Sequence, residues 1–182
     1  QGTPAPYILG EYADLNREEA RAALAAAEKA WASGMGGWPQ MTAADRISCM
    51  EEFAKRIRPL EKDFALLEMW EIGRPYPACR DEFKRTLQYI EDTVAALKIM
   101  EKEARLLKRV DDFIYQVRRC ALGICLCLGP FNYPLNETFA MLIPALLTGN
   151  TLVVKLPKYG SLCTIPLLEA FVRSFPAGVI NI

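Results

Sequence analysis

The sequence predicts an α/β fold in which amino-terminal helices lead into a parallel βαβαβ unit. Three observations carry this. Residues 123–128 (Gly-Ile-Cys-Leu-Cys-Leu) and 151–155 (Thr-Leu-Val-Val-Lys) are short apolar runs between turn residues, the form of strands covered on both faces. Residues 136–147 between them are apolar nearly all round, as a helix buried against a sheet is. Upstream, several segments repeat apolar residues at threes and fours.

The first helix is signalled at its start. Asn16-Arg17-Glu18-Glu19 has the form of a capping box, and REEARAALAAAEKAW after it favours helix on propensity alone. Residues 33–37 end it, and Trp38-Pro39 is expected to anchor a loop. Thr42 opens a second helix, to about Ile57, with Ile47, Met50, Phe53 and Ile57 on one face. Pro59 begins a third, residues 60–72, stopped by Gly73 and Pro75. A long fourth, residues 77–104, carries Phe83, Leu87, Ile90, Val94, Leu97 and Met100 at helical spacing. Residues 112–119 alternate and predict a strand or hairpin arm with one solvated face.

Gly129-Pro130-Phe131-Asn132-Tyr133-Pro134 then breaks the chain between strand and helix. Pro134 suits a first helical turn, where its missing N–H costs nothing, and Pro144 should kink the helix that follows. Gly149-Asn150 stops that helix. Residues 161–174 predict an amphipathic helix, and residues 179–182 open a third strand. A parallel sheet whose third strand has no covering helix after it reads as cut rather than finished. The crevice at the carboxyl ends of such strands is where ligands bind.

Composition narrows the function classes. A chain of 182 residues with 52% hydrophobic content and zero formal net charge has neither a basic nucleic-acid surface nor an acidic tail. At this length a complete domain would bury ~70% of its unfolded surface. No apolar run reaches the roughly 18 residues of a membrane helix, and no signal peptide is visible. The six cysteines lack secreted-scaffold spacing. Cys125 and Cys127 lie two apart in a strand, so both point to one face, where core packing explains them. The chain has no histidine, which excludes a His-ligated metal and a His general base within it, and no metal site is expected.

The loop GPFNYP, the later run PALLTGNTLVVK and the final FPAGVINI together closely resemble the aldehyde dehydrogenase superfamily, from about Val117 to Ile182. Val117-Arg118-Arg119 and the Phe-Asn-Tyr-Pro form of the loop are most similar to the NADP-dependent, non-phosphorylating glyceraldehyde-3-phosphate dehydrogenases. The resemblance implies a Rossmann-like half of a truncated cofactor domain. Residues 1–110 would form its helical amino-terminal part, and residues 111–182 an incomplete βαβαβ. It also implies oxidation of an aldehyde, glyceraldehyde 3-phosphate above all, through a cysteine thiohemiacetal and thioester. NADP would take the hydride, with NAD as the alternative. The full-length protein is expected to be cytoplasmic and homo-oligomeric.

Carried over residue by residue, Asn132 matches the oxyanion asparagine, suited because an amide donates without a proton to lose. The start of the following helix should add positive potential there. Tyr133 matches a substrate-contacting position, with a core aromatic as the other reading. Gly129 matches a close approach of backbone to cofactor. Lys155 matches the lysine that reaches the adenine-side ribose and any 2′-phosphate. Leu156, Pro157 and Lys158 depart from the Lys-Pro-Ser-Glu pattern of many members, and the resemblance implies that Pro157 and Lys158 also line the coenzyme. A lysine at 158 attracts the 2′-phosphate that a glutamate would repel. Arg85, in Phe83-Lys84-Arg85-Thr86, resembles the substrate-phosphate arginine, and an exposed helix arginine is its other reading. The nucleophilic cysteine and base glutamate match nothing here and are expected beyond Ile182, leaving residues 1–182 alone inactive. A different class of reading is a non-catalytic module that binds a nucleotide or a protein.

Overall fold

The computed structural model describes residues 7–182. Asn16 caps α1 (Arg17–Trp31): its side chain accepts the N–H groups of Glu18 and Glu19, and Glu19 reaches back to the Asn16 N–H. Trp38-Pro39, expected in a loop, forms one helical turn instead, α2 (Gly37–Gln40). Burial explains the difference. The Trp38 ring sits in the core, its indole N–H donates to the Asn150 carbonyl at 3.1 Å, and this anchoring fixes the backbone around it.

Thr42 caps α3 (Ala43–Ile57), and a single 3-10 turn at Arg58–Leu60 leads into α4 (Glu61–Ile72). The long α5 (Tyr76–Ala104) buries the stripe of Phe83, Leu87, Ile90, Val94 and Leu97 that its periodicity predicts. After it β1 (Lys108–Val110) and β2 (Phe113–Tyr115) pair antiparallel around a turn with Asp111 at φ 51°. Here the expectation of one covered face fails: every residue of both strands is exposed.

The parallel sheet is built from β3 (Ile124–Leu128), β4 (Thr151–Lys155) and β5 (Ile180–Asn181), in the order β3-β4-β5. Helix α6 (Asn136–Leu147) connects the first pair. Pro166 divides the segment expected as one helix into a 3-10 stretch, Leu162–Leu167, and α7 (Leu168–Ser174), since proline cannot donate in a continuous α ladder. Asn150 ties the unit together. Its side-chain oxygen accepts the N–H groups of Leu122 and Gly123, and its amide donates to Ala145, so the start of β3 and the end of α6 share one residue.

The core joins the helices to this unit. Phe53 of α3 stacks on Phe171 of α7 at 4.3 Å and meets Phe139 of α6 at 6.0 Å, contributing about 0.5–1.5 kcal/mol per pair beyond area burial. Strand β3 is not covered on both faces. Cys127 is buried, but Leu126 and Leu128 lie exposed: α1 meets that face at Thr151, through the Ala27 carbonyl, and leaves them uncovered. Among the described residues no helix is long and apolar enough to cross a membrane.

Candidate active site

Leu128 pairs with Lys155, so the loops that follow β3 and β4 leave the sheet from the same edge. The Gly129 N–H donates to the Lys155 carbonyl at 3.0 Å. A Cβ at Gly129 would lie 2.5 Å from Thr138 Oγ1 and 3.1 Å from Pro157 Cδ, closer than side chains tolerate. Glycine is therefore required where the two loops meet α6. One turn on, a Cβ at Gly160 would lie 2.8 Å from the Pro134 ring, so the loops touch again.

The helical part holds both loops. Buried Glu82 of α5 accepts the backbone N–H groups of Leu135 and Asn136 through Oε1, each at 3.0 Å. Its other oxygen bonds Arg74, whose Nη1 also donates to Glu68 Oε1 at 2.7 Å and to the Asn132 carbonyl at 3.3 Å. Glu71 of α4 accepts the N–H groups of Ser161 and Cys163 at 3.0 and 3.3 Å. The start of α6 does not lend its positive end to Asn132, because the Glu82 carboxylate already occupies those N–H groups and offsets their field.

Asn132 itself is exposed, and among the described residues its side-chain amide has no partner within the chain. Tyr133 next to it is half-buried. The Arg74 and Arg85 guanidinium carbons lie 4.5 and 5.7 Å from its ring centroid, within cation–π range. Both arginines line an open pocket of about 480 Å³ with Tyr133, Ala78, Asp81 and Lys84. Arg74 is already engaged by Glu68 and Glu82, so Arg85 and Lys84 against Asp81 leave the pocket one net positive charge, a place for an anion.

The other predicted residues gather at the end of β4. Lys155 and Lys158 are exposed and form no ion pair among the described residues; Pro157 is buried. The Lys158 carbonyl accepts the Tyr12 hydroxyl at 2.9 Å, and its ammonium lies 5.6 Å from the Tyr159 ring. No acidic residue stands between Leu156 and Ser161. The donor set, two free ammonium groups beside a backbone turn, fits a phosphorylated ribose.

Sequence reasoning missed Glu68, Arg74 and Glu82. A signal was present: Glu82 lies three residues after Cys79 and four before Thr86, on the buried stripe of α5, where a carboxylate needs a partner. The thiols show the opposite of activation. Burial raises Cys49, Cys125, Cys127 and Cys163, and it pushes Cys79 up to about 12, with the Glu68 charge adding to it. A nucleophilic cysteine needs a lowered pKa. Among the described residues no cluster of three or more His, Cys, Asp or Glu is placed to hold a metal ion.

Residues 5–182 match the family model described as the aldehyde dehydrogenase family. The chain is 32% identical over 181 residues to the NADP-dependent glyceraldehyde-3-phosphate dehydrogenase of Streptococcus equinus, covering 95% of this chain and 37% of that protein. Its fold matches the glyceraldehyde-3-phosphate dehydrogenase GapN of Methanocaldococcus jannaschii, solved with NADP, at a TM-score of 0.81 and 26% identity, over 96% of this chain and 38% of that one. It also matches betaine aldehyde dehydrogenase of Staphylococcus aureus, solved with NAD+, at a TM-score of 0.78 and 26% identity, over 91% and 32%. The chain thus spans about a third of the length of these relatives.

Proposed function

The chain belongs to the aldehyde dehydrogenase family, and on that premise we propose that it supplies the oxyanion donor and part of the coenzyme site of an NADP-linked enzyme. The reaction is oxidation of an aldehyde, with glyceraldehyde 3-phosphate as the substrate, to the acid. The similarity to the Streptococcus equinus enzyme supports this substrate, and so do Arg85 and Lys84 in the Tyr133 pocket. The observation that carries the reading is the free Asn132 amide. It stands exposed at the carboxyl edge of the sheet while its main chain is held from below by Arg74.

Each residue then has a task. Asn132 donates to the carbonyl oxygen as negative charge develops on it, and a fixed donor costs no reorganisation at that moment. Arg85 and Tyr133 orient the substrate phosphate, which fixes the aldehyde end. Lys155 and Lys158 bind the 2′-phosphate side of the coenzyme, while Gly129 and Pro157 shape the turn against which it rests. When bound, the nicotinamide coenzyme supplies hydride acceptance; NAD is the alternative, as in the Staphylococcus aureus relative. The thiohemiacetal and thioester form on a cysteine outside residues 1–182, consistent with the raised pKa values of the buried thiols here. Residues 1–110 and 111–182 act as parts of one cofactor-binding domain, a reading supported by the shared phenylalanine core of α3, α6 and α7. The six free cysteines favour the reducing cytoplasm.

The test is turnover by the full-length protein. Glyceraldehyde 3-phosphate and NADP should give equimolar acid and NADPH without added inorganic phosphate. Coenzyme binding with no oxidation of any aldehyde would make the protein a nucleotide-binding module instead.

A further inference from the structure

Arg74 is set apart by where its backbone lies. It is the single residue between Gly73, whose left-handed conformation ends α4, and Pro75, which precedes α5. A residue before proline is confined to extended backbone, so the side chain leaves from a fixed point between two helices. The guanidinium is largely buried, with its side chain 18% exposed, and two fully buried carboxylates grip it: Glu68 from α4 and Glu82 from α5. The two hydrogens on Nη1 are shared among three acceptors, and the third is the Asn132 carbonyl. The same guanidinium lies over the ring of Tyr133.

We propose that Arg74 is a positioning residue: held by Glu68 and Glu82, it fixes the Asn132 main chain and the Tyr133 ring, and so aims the Asn132 amide. The assignment rests on the reading of Asn132 as the oxyanion donor. The geometry separates this role from simple charge balance. Neutralising Glu68 and Glu82 needs a cation, which lysine also supplies. A lysine ammonium could donate to all three acceptors of Nη1, but it could not also place a second atom over Tyr133, where the guanidinium carbon lies 4.5 Å from the ring centroid. Glu82 adds a second restraint on the same loop through the N–H groups of Leu135 and Asn136. The loop is thereby tied on both sides of Tyr133, and Arg74 provides the tie next to Asn132.

The experiment is a double-mutant cycle in the full-length enzyme with glyceraldehyde 3-phosphate and NADP. Arg74→Lys should lower kcat about tenfold, leave KM for NADP within about twofold, and keep most of the melting temperature. In the Asn132→Ala background the same Arg74→Lys change should cost less than about twofold in kcat, since its effect passes through Asn132. Full additivity overturns the positioning role while leaving Asn132 catalytic. No loss of kcat on Asn132→Ala alone overturns the underlying reading and this inference with it. An Arg74→Lys variant equal to wild type in kcat and melting temperature reduces Arg74 to charge balance, and parallel loss of both reduces it to a structural residue. Arg74→Met serves as the harsher variant, and the lysine change decides the matter if it fails to fold.

Discussion

Glu68 and Arg74 are joined at 2.7 Å beneath the Asn132 loop, with the Glu68 carboxyl fully buried and its second oxygen without a partner. Two carboxylates facing one guanidinium leave a net negative charge in a dry site when both are ionised. Protonating one carboxyl removes it.

Stability should therefore depend on pH in a defined direction. Burial first, and then the Glu82 charge, push the Glu68 carboxyl from 4.5 up to about 7. Between those values the folded protein holds a proton that the unfolded chain has released. Stability from this group is present below about 4.5 and is lost as pH rises toward about 7. Melting temperature followed across that window should fall in the wild type, and Glu68→Gln, which mimics the protonated form, should flatten the decline. An equal slope in both proteins would place the titration elsewhere.

Much of this architecture was legible in the residues. The capping box at Asn16, the α5 stripe and the strands around GPFNYP follow from short-range rules, which spacing reports directly. What the sequence hid depended on contacts far along the chain. Trp38 became helical because its ring is buried and its indole meets Asn150, a pairing of residues 112 apart. Apolarity alone could not tell whether β3 is covered on one face or two, since Leu126 and Leu128 read as apolar whether or not α1 reaches them. At the site, Gly129, Asn132 and Tyr133 were legible as a motif. The Glu82 restraint was not, because a carboxylate 53 residues upstream bonds the Leu135 N–H only in the folded chain.

Coenzyme choice should turn on Lys158. Its ammonium is exposed and free of ion pairs among the described residues, and no acid stands between Leu156 and Ser161. A charge-assisted contact to a 2′-phosphate typically gives about a ten- to hundredfold preference. Lys158→Glu in the full-length enzyme should move the kcat/KM ratio toward NAD by about that factor. An unchanged ratio would mean that the side chain stays over Tyr159 and never meets coenzyme.

Substrate charge should be read by Arg85. The side chain faces Tyr133 across the cationic pocket, so it can grip a phosphate on the substrate. Arg85→Ala should raise KM for glyceraldehyde 3-phosphate by about tenfold or more and leave an uncharged aldehyde within about twofold. Equal effects on the two substrates would return Arg85 to a surface arginine stacked on a tyrosine.

Turnover should depend on the Asn132 amide. Its amide is exposed and supports no core packing, while its carbonyl is held by Arg74. The helix start behind it is occupied by Glu82, so the amide must act as a local donor without help from the α6 dipole. Losing one such donor costs about 2.7–4 kcal/mol, a hundred- to a thousandfold in kcat. Asn132→Ala should lower kcat by that order with KM for NADP little changed. The main-chain contact to Arg74 survives the substitution, so the melting temperature should shift by no more than a surface change does, about 0.5 kcal/mol in stability. Asn132→Asp tests the sign of the interaction: a carboxylate of similar shape repels the developing oxyanion, so it should be at least as inactive as alanine. A variant that melts several degrees lower while keeping most of its kcat would make Asn132 a turn residue, with the oxyanion held by another group.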